Sequence, residues 1–293
     1  MRVTQSMIAR NIIQSMNQSR ENLNTLQVAM STGKEIQRPS NDPVDFTRNS
    51  RFRTAISNNE QYLRTINDSE GWLTTTTDTL DQFYQQLEAA KELATQGADE
   101  SNSAESRAAM AIKVNGIIDE MVSLVNTTYM DKFLFGGTAT QDDLPFDRIG
   151  DTISYNGNSG NITRRITENH SVAININGQQ LLDSTAFTAA ADLKTALETN
   201  DAAAVRDSIT ALRSAADNTL ILLTSVGSIS NQIEFARQRL ETANLNLTSI
   251  LSQNEDVDMA EAITLYNAEE ISYQAALQSA SNVMELNLMQ FLK

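Results

Sequence analysis

Apolar residues recur at steps of four and three along the first part of the chain. The series places five apolar residues and one serine on one helical face: Ile12, Met16, Ser19, Leu23, Leu26 and Met30. This spacing is that of a coiled-coil seam, the line of side chains that faces a partner helix. Gly33 follows the series and suits the left-handed conformation that commonly closes a helix. The sequence therefore predicts a first amphipathic helix that ends at Gly33.

A polar link separates this helix from a much longer one. The link contains Pro39, Ser40, Asn41, Asp42 and Pro43. Asp42 has the side chain of an N-cap, and proline is favoured at the first helical position, which Pro43 would occupy. The seam continues from there to about residue 96, so at 1.5 Å per residue the predicted helix is about 80 Å long. A third helix is predicted after it, with Asn102 and Glu105 as a capping box and an apolar stripe from Met110 to Leu124.

Helical periodicity disappears between about residues 131 and 182. Short β-branched runs at 152–155, 162–166 and 172–176 predict strands. The stretch 156–160 (Asn-Gly-Asn-Ser-Gly) and the pair Asn177-Gly178 have the composition of turns, and we expect the first of them to close a hairpin. The segment is therefore predicted to be a small antiparallel β insert.

Helical patterns return near Phe187 and continue to the last residues. One stripe spans 205–223, a strict seam spans 229–250, and a final helix carries apolar residues from Met259 to Phe291. We expect a mainly α protein, in which both chain ends form a long antiparallel coiled-coil helical rod with a small inserted antiparallel β domain. The predicted domains are 1–42 with 256–293 as a terminal helical pair, 43–135 with 186–255 as a rod domain, and 136–185 as the β insert.

The terminal helices are the predicted functional surface. Polar residues such as Ser19 interrupt their seams, and isolated helices are marginal in water, so we expect this pair to stay disordered until neighbouring copies supply the missing contacts. The predicted assembly interface comprises Met7, Ile12, Met16, Leu23, Leu26, Met30, Leu277, Met284, Leu288 and Phe291. The predicted domain-link motif comprises Gly33, Pro39, Ser40, Asn41, Asp42 and Pro43.

Charge and hydropathy restrict the partners. The net charge is −15 and the isoelectric point is about 4.5, which disfavours nucleic acid and anionic membranes, so we expect neither as a partner. Polar residues interrupt the first 16 positions, so the sequence does not predict a cleaved Sec-type signal peptide. If the protein leaves the cell, we expect a route without one.

Candidate catalytic chemistry is sparse. The chain has no cysteine, and its one histidine, His170, falls in a predicted hairpin loop, so no thiolate, histidine triad or multi-histidine zinc site is expected. Glu255, Asp256, Asp258 and Glu261 lack the glycine and ligand spacing of a calcium loop, and a solvated face at a helix start explains them. The sequence predicts no enzyme, no metal site and no cofactor.

Several motifs resemble one family. Residues 31–34 (Ser-Thr-Gly-Lys), followed by the proline-containing link 38–43, resemble a signature of the hook-associated, junction-forming members of the flagellin family, with Asn41 where aspartate is commoner. Flagellins proper usually lack the prolines. The stretches 133–138 with 145–146, 226–231 and 255–261 are also similar to that family, and residues 286–293 depart from the Leu-rich end of flagellin. The resemblance covers about the first 145 and the last 90 residues.

The resemblance implies a structural role outside the cell. A member of this group would be exported through the flagellar type III apparatus, with an export chaperone on its C-terminal helix, and would sit at the hook–filament junction of the bacterial flagellum. Its partners would be further copies of itself in a ring or helical assembly, the hook-side junction protein and flagellin.

Three other functions remain open from the sequence. A short flagellin is the nearest, and it differs in abundance, because a filament needs far more copies than a junction. A signalling coiled coil shares the heptads, although the β insert and the prolines of the link speak against an uninterrupted hairpin. An adhesin or a secretion-needle tip on a helical rod is the third.

Overall fold

The computed structural model describes residues 5–36, 38–40, 42–141 and 143–291. The chain is mainly helical, and the three predicted helices before the β insert are confirmed. After the insert, the stripe 205–223 and the seam 229–250, predicted as successive helices, lie on one continuous helix, and two shorter helices precede it. The helices are α1 (Gln5–Thr32), α2 (Pro43–Gly97), α3 (Ala104–Val125), α4 (Gly178–Asp183), α5 (Ala186–Glu198), α6 (Ala202–Glu255) and α7 (Met259–Phe291).

Six short strands pair into three two-stranded antiparallel sheets. They are β1 (Thr128–Tyr129), β2 (Lys132–Phe133), β3 (Phe146–Ile149), β4 (Thr152–Tyr155), β5 (Thr163–Thr167) and β6 (His170–Ala173). The pairs are β1 with β2, β3 with β4, and β5 with β6. The predicted strand at 152–155 is found at those residues, and β5 and β6 overlap the other two predictions.

Two compact units make up the chain. The first comprises Met1–Asn58 with Ala243–Lys293, and the second comprises Asn59–Thr242. Helices α2 and α6 contribute residues to both units. The predicted three-part division, with boundaries near residues 42, 135, 185 and 255, remains a prediction.

In the first unit, α1 and α7 pack antiparallel. Gly33, after the end of α1, bonds to Val257 just before α7, and Asn22 bonds to Glu269 further along both helices. The predicted face of α1 is confirmed, because Ile12, Met16, Ser19, Leu23, Leu26 and Met30 are half-buried, and Ala29 beside Met30 is buried.

The predicted seam of α7 is partly wrong. Of the apolar residues predicted to run along this helix, Tyr266, Tyr273 and Ala280 are half-buried, whereas Met259, Ile263 and Leu277 are exposed. The buried and half-buried face of α7 is Ala262, Tyr266, Glu269, Tyr273, Ala276 and Ala280. Small alanine side chains on this face let the two helices approach, whereas the sequence pattern favoured the larger apolar residues beside them.

In the second unit, aromatic residues join the helices to the β segment. The ring of Phe187 on α5 lies 5.4 Å from that of Phe83 on α2 and 5.7 Å from that of Phe146 on β3. Phe146 in turn lies 5.1 Å from Tyr155 on β4. Offset and edge contacts of this kind add to the free energy gained from burial. The core therefore continues from the helices into the hairpins.

The turn between β3 and β4 differs from the prediction. Residues 156–160 do not close a hairpin but connect β4 to β5, which belong to separate sheets. The β3–β4 hairpin turns at Gly150, whose φ of +68° is unstrained only for glycine. Asn177 caps α4 instead of forming a free turn, because its side-chain oxygen accepts from the Gln180 N–H at 3.2 Å.

The start of α3 is one residue from the prediction. Ser103 is the N-cap, and its hydroxyl oxygen accepts from the Ser106 N–H at 3.2 Å. Asn102, predicted as the cap, instead donates to the carbonyl of Gln96 at 2.7 Å and so closes the end of α2.

Among the described residues, no helix combines the length and apolar character needed to cross a membrane.

Candidate functional site: the terminal helix pair and its link

The end of α1 has the predicted glycine cap. Gly33 has a φ of +70°, and its N–H donates to the Ala29 carbonyl at 2.8 Å. A Cβ at this position would have no atom within 4 Å, so the backbone conformation, rather than space, favours glycine here. The cap turns the chain out of α1 and into the link.

The link after α1 pairs with the link before α7. The Glu35 N–H donates to the Glu255 carbonyl at 2.7 Å, and the Val257 N–H donates to the Gly33 carbonyl at 3.0 Å. Lys34 and Asp256 face each other between these bonds as an antiparallel bridge. We call these six residues, 33–35 and 255–257, the link clasp. The clasp holds the ends of α1 and α6 and the start of α7 together.

A buried carboxylate sits inside the link clasp. The Glu255 side chain is only 2% exposed, and its Oε1 accepts from Lys34 Nζ at 2.8 Å and forms an ion pair with Arg53 of α2. The other oxygen, Oε2, has no hydrogen-bond partner among the described residues. Burying an ionised carboxylate is costly unless cations compensate, so Lys34 and Arg53 are needed here.

The sequence prediction was wrong for Glu255, which is buried and paired rather than part of a solvated face. One signal was available: Glu255 is the last residue of α6, where a negative charge is disfavoured by the helix dipole. The helix-start explanation holds for Asp258, whose Oδ1 accepts from the N–H groups of Ala260 and Glu261 at 2.9 and 3.2 Å.

The predicted cap at the start of α2 is confirmed. Asp42 Oδ1 accepts from the N–H groups of Val44 and Asp45, each at 2.9 Å, and α2 begins at Pro43. Arg48 pairs with Asp45 at 2.8 Å and donates to Asn254 at 3.3 Å. Pro39 and Ser40 are exposed, and Asn41 lies outside the described residues. The link motif therefore fixes the helix start with Asp42, while 38–40 face solvent.

The predicted interface residues fall into three groups. Ile12, Met16, Leu23, Leu26 and Met30 are half-buried on the α1 face that packs with α7. Met7 and Leu277 are exposed. Met284, Leu288 and Phe291 belong to α7, but their side chains lie outside the part of the chain that the structure describes.

The terminal helices also expose apolar side chains outside the predicted interface. They are Ile13 on α1 and Met259, Ile263, Leu265 and Ile271 on α7. Exposed apolar surface of this kind commonly marks a contact with another molecule. Among the described residues, no group of three or more acidic or histidine side chains could hold a metal ion.

Family models match both ends of the chain. The model of the bacterial flagellin N-terminal helical region matches residues 3–140, and that of the bacterial flagellin C-terminal helical region matches residues 209–292. Together the two matches contain the link motif, the link clasp and the terminal helix pair. The segment between them includes β3 to β6, α4 and α5.

Individual relatives agree with these matches. The flagellar hook-associated protein 3 of Escherichia coli is 23% identical over 291 residues, which cover 90% of this chain and 91% of that protein. A flagellin of Halalkalibacterium halodurans is 25% identical over 277 residues, and the match covers 93% of this chain and 93% of that protein.

Solved structures agree in fold. The crystal structure of Bacillus cereus FlgL has a TM-score of 0.61 at 24% identity, and the match covers 69% of this chain and 98% of that one. The flagellar junction protein FlgL from Legionella pneumophila has a TM-score of 0.60 at 14% identity, covering 73% of this chain and all of that one. With the helical pair, the link clasp and both family models in agreement, the chain belongs to the bacterial flagellin family of flagellar structural proteins.

Proposed function

We propose that this chain is the hook-associated subunit that forms the hook–filament junction, an adaptor between the hook-side junction protein and flagellin. The observation that carries the proposal is the terminal helix pair, which exposes a row of apolar residues in a chain of a structural, non-enzymatic family. Its likeness to hook-associated protein 3 over nearly the whole chain supports a hook-associated role. The proline-containing link 38–43, which flagellins proper usually lack, supports a junction rather than a filament.

The mechanism is mechanical. Copies of the chain cover one another's exposed apolar residues, such as Ile263 and Ile271, because apolar surface removed from water stabilises an assembly by about 25 cal/mol per Å². The half-buried face of α1 shows that one partner helix covers it only in part. A junction built this way presents one helical surface to the hook-side junction protein and another to flagellin.

The terminal pair orders fully on assembly under this proposal. The expected result is rapid proteolysis of the first and last ~40 residues in a dilute monomer, and protection in the assembled junction, because coupled folding needs the partner's contacts. Termini that resist protease equally in both states would overturn this part of the proposal.

Export completes the proposed function. The subunit leaves the cell without a cleaved signal peptide, and an export chaperone covers the C-terminal helix beforehand. That chaperone would hide the same exposed apolar residues of α7 that later face neighbouring copies. The protein then resides in the flagellum, outside the cell.

Matched substitutions test the interface. Ile271 on α7 is 68% exposed and Ile149 on β3 is 75% exposed, so replacing either with glutamine should leave the isolated chain folded. We expect Ile271→Gln to reduce junction assembly and motility, and Ile149→Gln to leave both unchanged. Equal effects of the two variants would contradict an interface on α7.

Deletion of the gene tests the function itself. Electron microscopy should show bare hooks, and the culture medium should contain monomeric flagellin, because filament subunits would be exported without a surface to stack on. Normal filaments in a strain with no second copy of the gene would overturn the proposal.

A short flagellin is the second candidate, favoured by the H. halodurans flagellin that covers 93% of each chain. If the chain were a flagellin, deletion of its gene would leave bare hooks and no filament subunit in the medium.

A further inference from the structure

The chain contains three Asn–Gly steps, all in the second unit: Asn115–Gly116, Asn156–Gly157 and Asn177–Gly178. Asparagine before glycine is prone to spontaneous deamidation, because glycine has no side chain to obstruct its own backbone nitrogen. The nitrogen must be free to reach the asparagine side chain. The structure therefore decides which of the three steps can react.

The Asn115–Gly116 step is held within helix α3. The Gly116 nitrogen lies in the hydrogen-bonded interior of the helix, and the Asn115 side chain is engaged on both sides. Its Oδ1 accepts from Arg148 at 2.6 Å, and its Nδ2 donates to Asp119 at 3.3 Å. Reaction here requires α3 to open and these bonds to break.

The Asn177–Gly178 step is held at the start of α4. The Gly178 N–H donates to the Phe135 carbonyl at 2.8 Å, and the Asn177 side chain caps the helix through the Gln180 N–H. Gly178 is also buried. Both the attacking nitrogen and the side chain that it would attack are therefore held in place.

The Asn156–Gly157 step lies between β4 and β5 and is not held in this way. Asn156 is exposed, and among the described residues neither its side-chain amide nor the Gly157 N–H has a hydrogen-bond partner. The Asn156 N–H donates to the Pro145 carbonyl at 2.8 Å and the Asn158 N–H donates to the Gly136 carbonyl at 3.2 Å, so the chain is held on both sides of the step, while the two reacting groups themselves have no hydrogen bond among the described residues.

We propose that Asn156 is a spontaneous deamidation site of the folded protein. The Gly157 nitrogen loses its proton to solvent base and attacks Asn156 Cγ, forming a C–N bond and a five-membered succinimide. The side-chain nitrogen leaves as ammonia. Water then opens the ring at either carbonyl, leaving aspartate or isoaspartate, so the net reaction consumes one water and releases one ammonia.

The product changes the surface of the β segment. Each event adds one negative charge, and the isoaspartate route reroutes the backbone through the side-chain carbon. The affected segment leads into Asn158, whose Oδ1 accepts from the N–H groups of Thr138 and Gly160 at 2.8 and 2.9 Å. Deamidation therefore alters the segment that ties the β4–β5 connection to residue 138.

Peptide mapping by mass spectrometry tests the proposal on the full chain, incubated in H₂¹⁸O at mildly alkaline pH. We expect Asn156 to incorporate ¹⁸O at least about tenfold faster than Asn115 or Asn177, which react only through opened states. The same incubation in denaturant should bring the three rates together, because the structural difference is then removed. Asn156→Gln, whose side chain would have to form a larger ring, should abolish the main signal.

Three results would overturn the proposal. They are equal rates at the three steps in the folded chain, faster reaction at Asn115 or Asn177, and an unreacted Asn156 under conditions in which the denatured chain reacts. Persistence of the signal in Asn156→Gln would assign it to another asparagine and would also overturn it.

Discussion

Lys34 Nζ lies 2.8 Å from Oε1 of Glu255, and this contact joins the link after α1 to the last residue of α6. The two side chains have unequal environments, because that of Lys34 is 44% exposed and that of Glu255 is 2% exposed. The cost of breaking the pair therefore depends on which partner is removed.

Removing both cations should destabilise the link clasp more than removing the carboxylate. Lys34→Met with Arg53→Met leaves a buried, unpaired Glu255, which costs about 3–5 kcal/mol. Glu255→Gln leaves two half-exposed cations that water can solvate, so we expect about 1–2 kcal/mol. Hydrogen exchange of the Glu35 and Val257 amides, which bond across the clasp, measures the free energy of opening in each variant when the chain is assembled and the terminal pair is ordered.

Arg51 provides the control, because it lies exposed on the same helix and forms no ion pair among the described residues. In Arg51→Met, the Glu35 and Val257 amides should exchange at the wild-type rate. A double variant of Lys34 and Arg53 that exchanges no faster than Glu255→Gln would contradict the role given to these cations.

Replacing Gly33 should destabilise the chain only through the backbone conformation that the new residue must adopt. Gly33→Ala should destabilise the chain by about 1–2 kcal/mol, and Gly33→Asn by less, because asparagine tolerates the left-handed region. Gly116 is also open to a Cβ but is helical, so Gly116→Ala should stabilise by about 0.5–1 kcal/mol. Urea unfolding of the assembled protein, in which the terminal pair is ordered, measures both when followed by circular dichroism. If Gly33→Ala and Gly116→Ala changed the stability in the same direction, φ would not control the effect.

Helix order and the face of α1 were predictable from the sequence, because both depend on local spacing. The series from Ile12 to Met30 predicted the half-buried face, and Gly33, Asp42 and Pro43 marked helix ends that the structure confirms. Strand β3 was missed because Phe146–Ile149 includes Asp147 and Arg148 and has no β-branched run. The seam of α7 was misplaced because alanine contributes little to an apolar pattern and still packs.

Replacing Arg107, which lies in the second unit, should strongly lower the stability of the chain. Its buried guanidinium donates to the carbonyls of Gly97 and Asp99, each at 2.9 Å, and to Asn200 at 2.5 Å. Arg107→Met leaves these acceptors unpaired, so we expect a loss of about 3 kcal/mol. Arg107→Lys should recover only part of it, because an ammonium cannot reproduce the planar fork.

Thermal unfolding followed by calorimetry measures these losses. Exposed Arg213 on α6 serves as the control, and Arg213→Met should change stability by no more than about 0.5 kcal/mol. Full recovery in Arg107→Lys would mean that charge alone, and not the fork geometry, matters at this position.

Tyr155 should make stability depend on alkaline pH. Burial raises the pKa of Tyr155 above its ordinary value of 10.0, against a smaller opposing effect of the hydrogen bond from Gly178. The folded chain therefore holds this proton more tightly than the unfolded chain, and the associated stability is present below pH 10 and lost as the pH rises through the folded pKa. Urea midpoints across this pH range measure the decline.

Tyr155→Phe removes both the titrating group and the donor to the Phe135 carbonyl at 2.9 Å. We expect this variant to lose about 1 kcal/mol at neutral pH and to show a shallower alkaline decline. Tyr84→Phe, at another half-buried tyrosine, controls for the loss of a hydroxyl. An alkaline decline as steep in Tyr155→Phe as in the wild-type chain would contradict the assignment.

The link clasp could not be predicted from local sequence. Arg53 and Glu255 are 202 residues apart, so their pairing depends on how α2 and α6 are brought together. A charged residue alone usually indicates solvent exposure, and only its place at the end of a helix hinted otherwise. Contacts between the two ends of the chain therefore required the structure.

Immunogold electron microscopy of intact flagella, with an epitope tag in the exposed β3–β4 turn, tests the proposed junction most directly. If the chain forms the junction, the label will be confined to a single band where the hook meets the filament. Label along the whole filament would contradict it and make the chain a flagellin, and the absence of label from the flagellum would contradict it altogether.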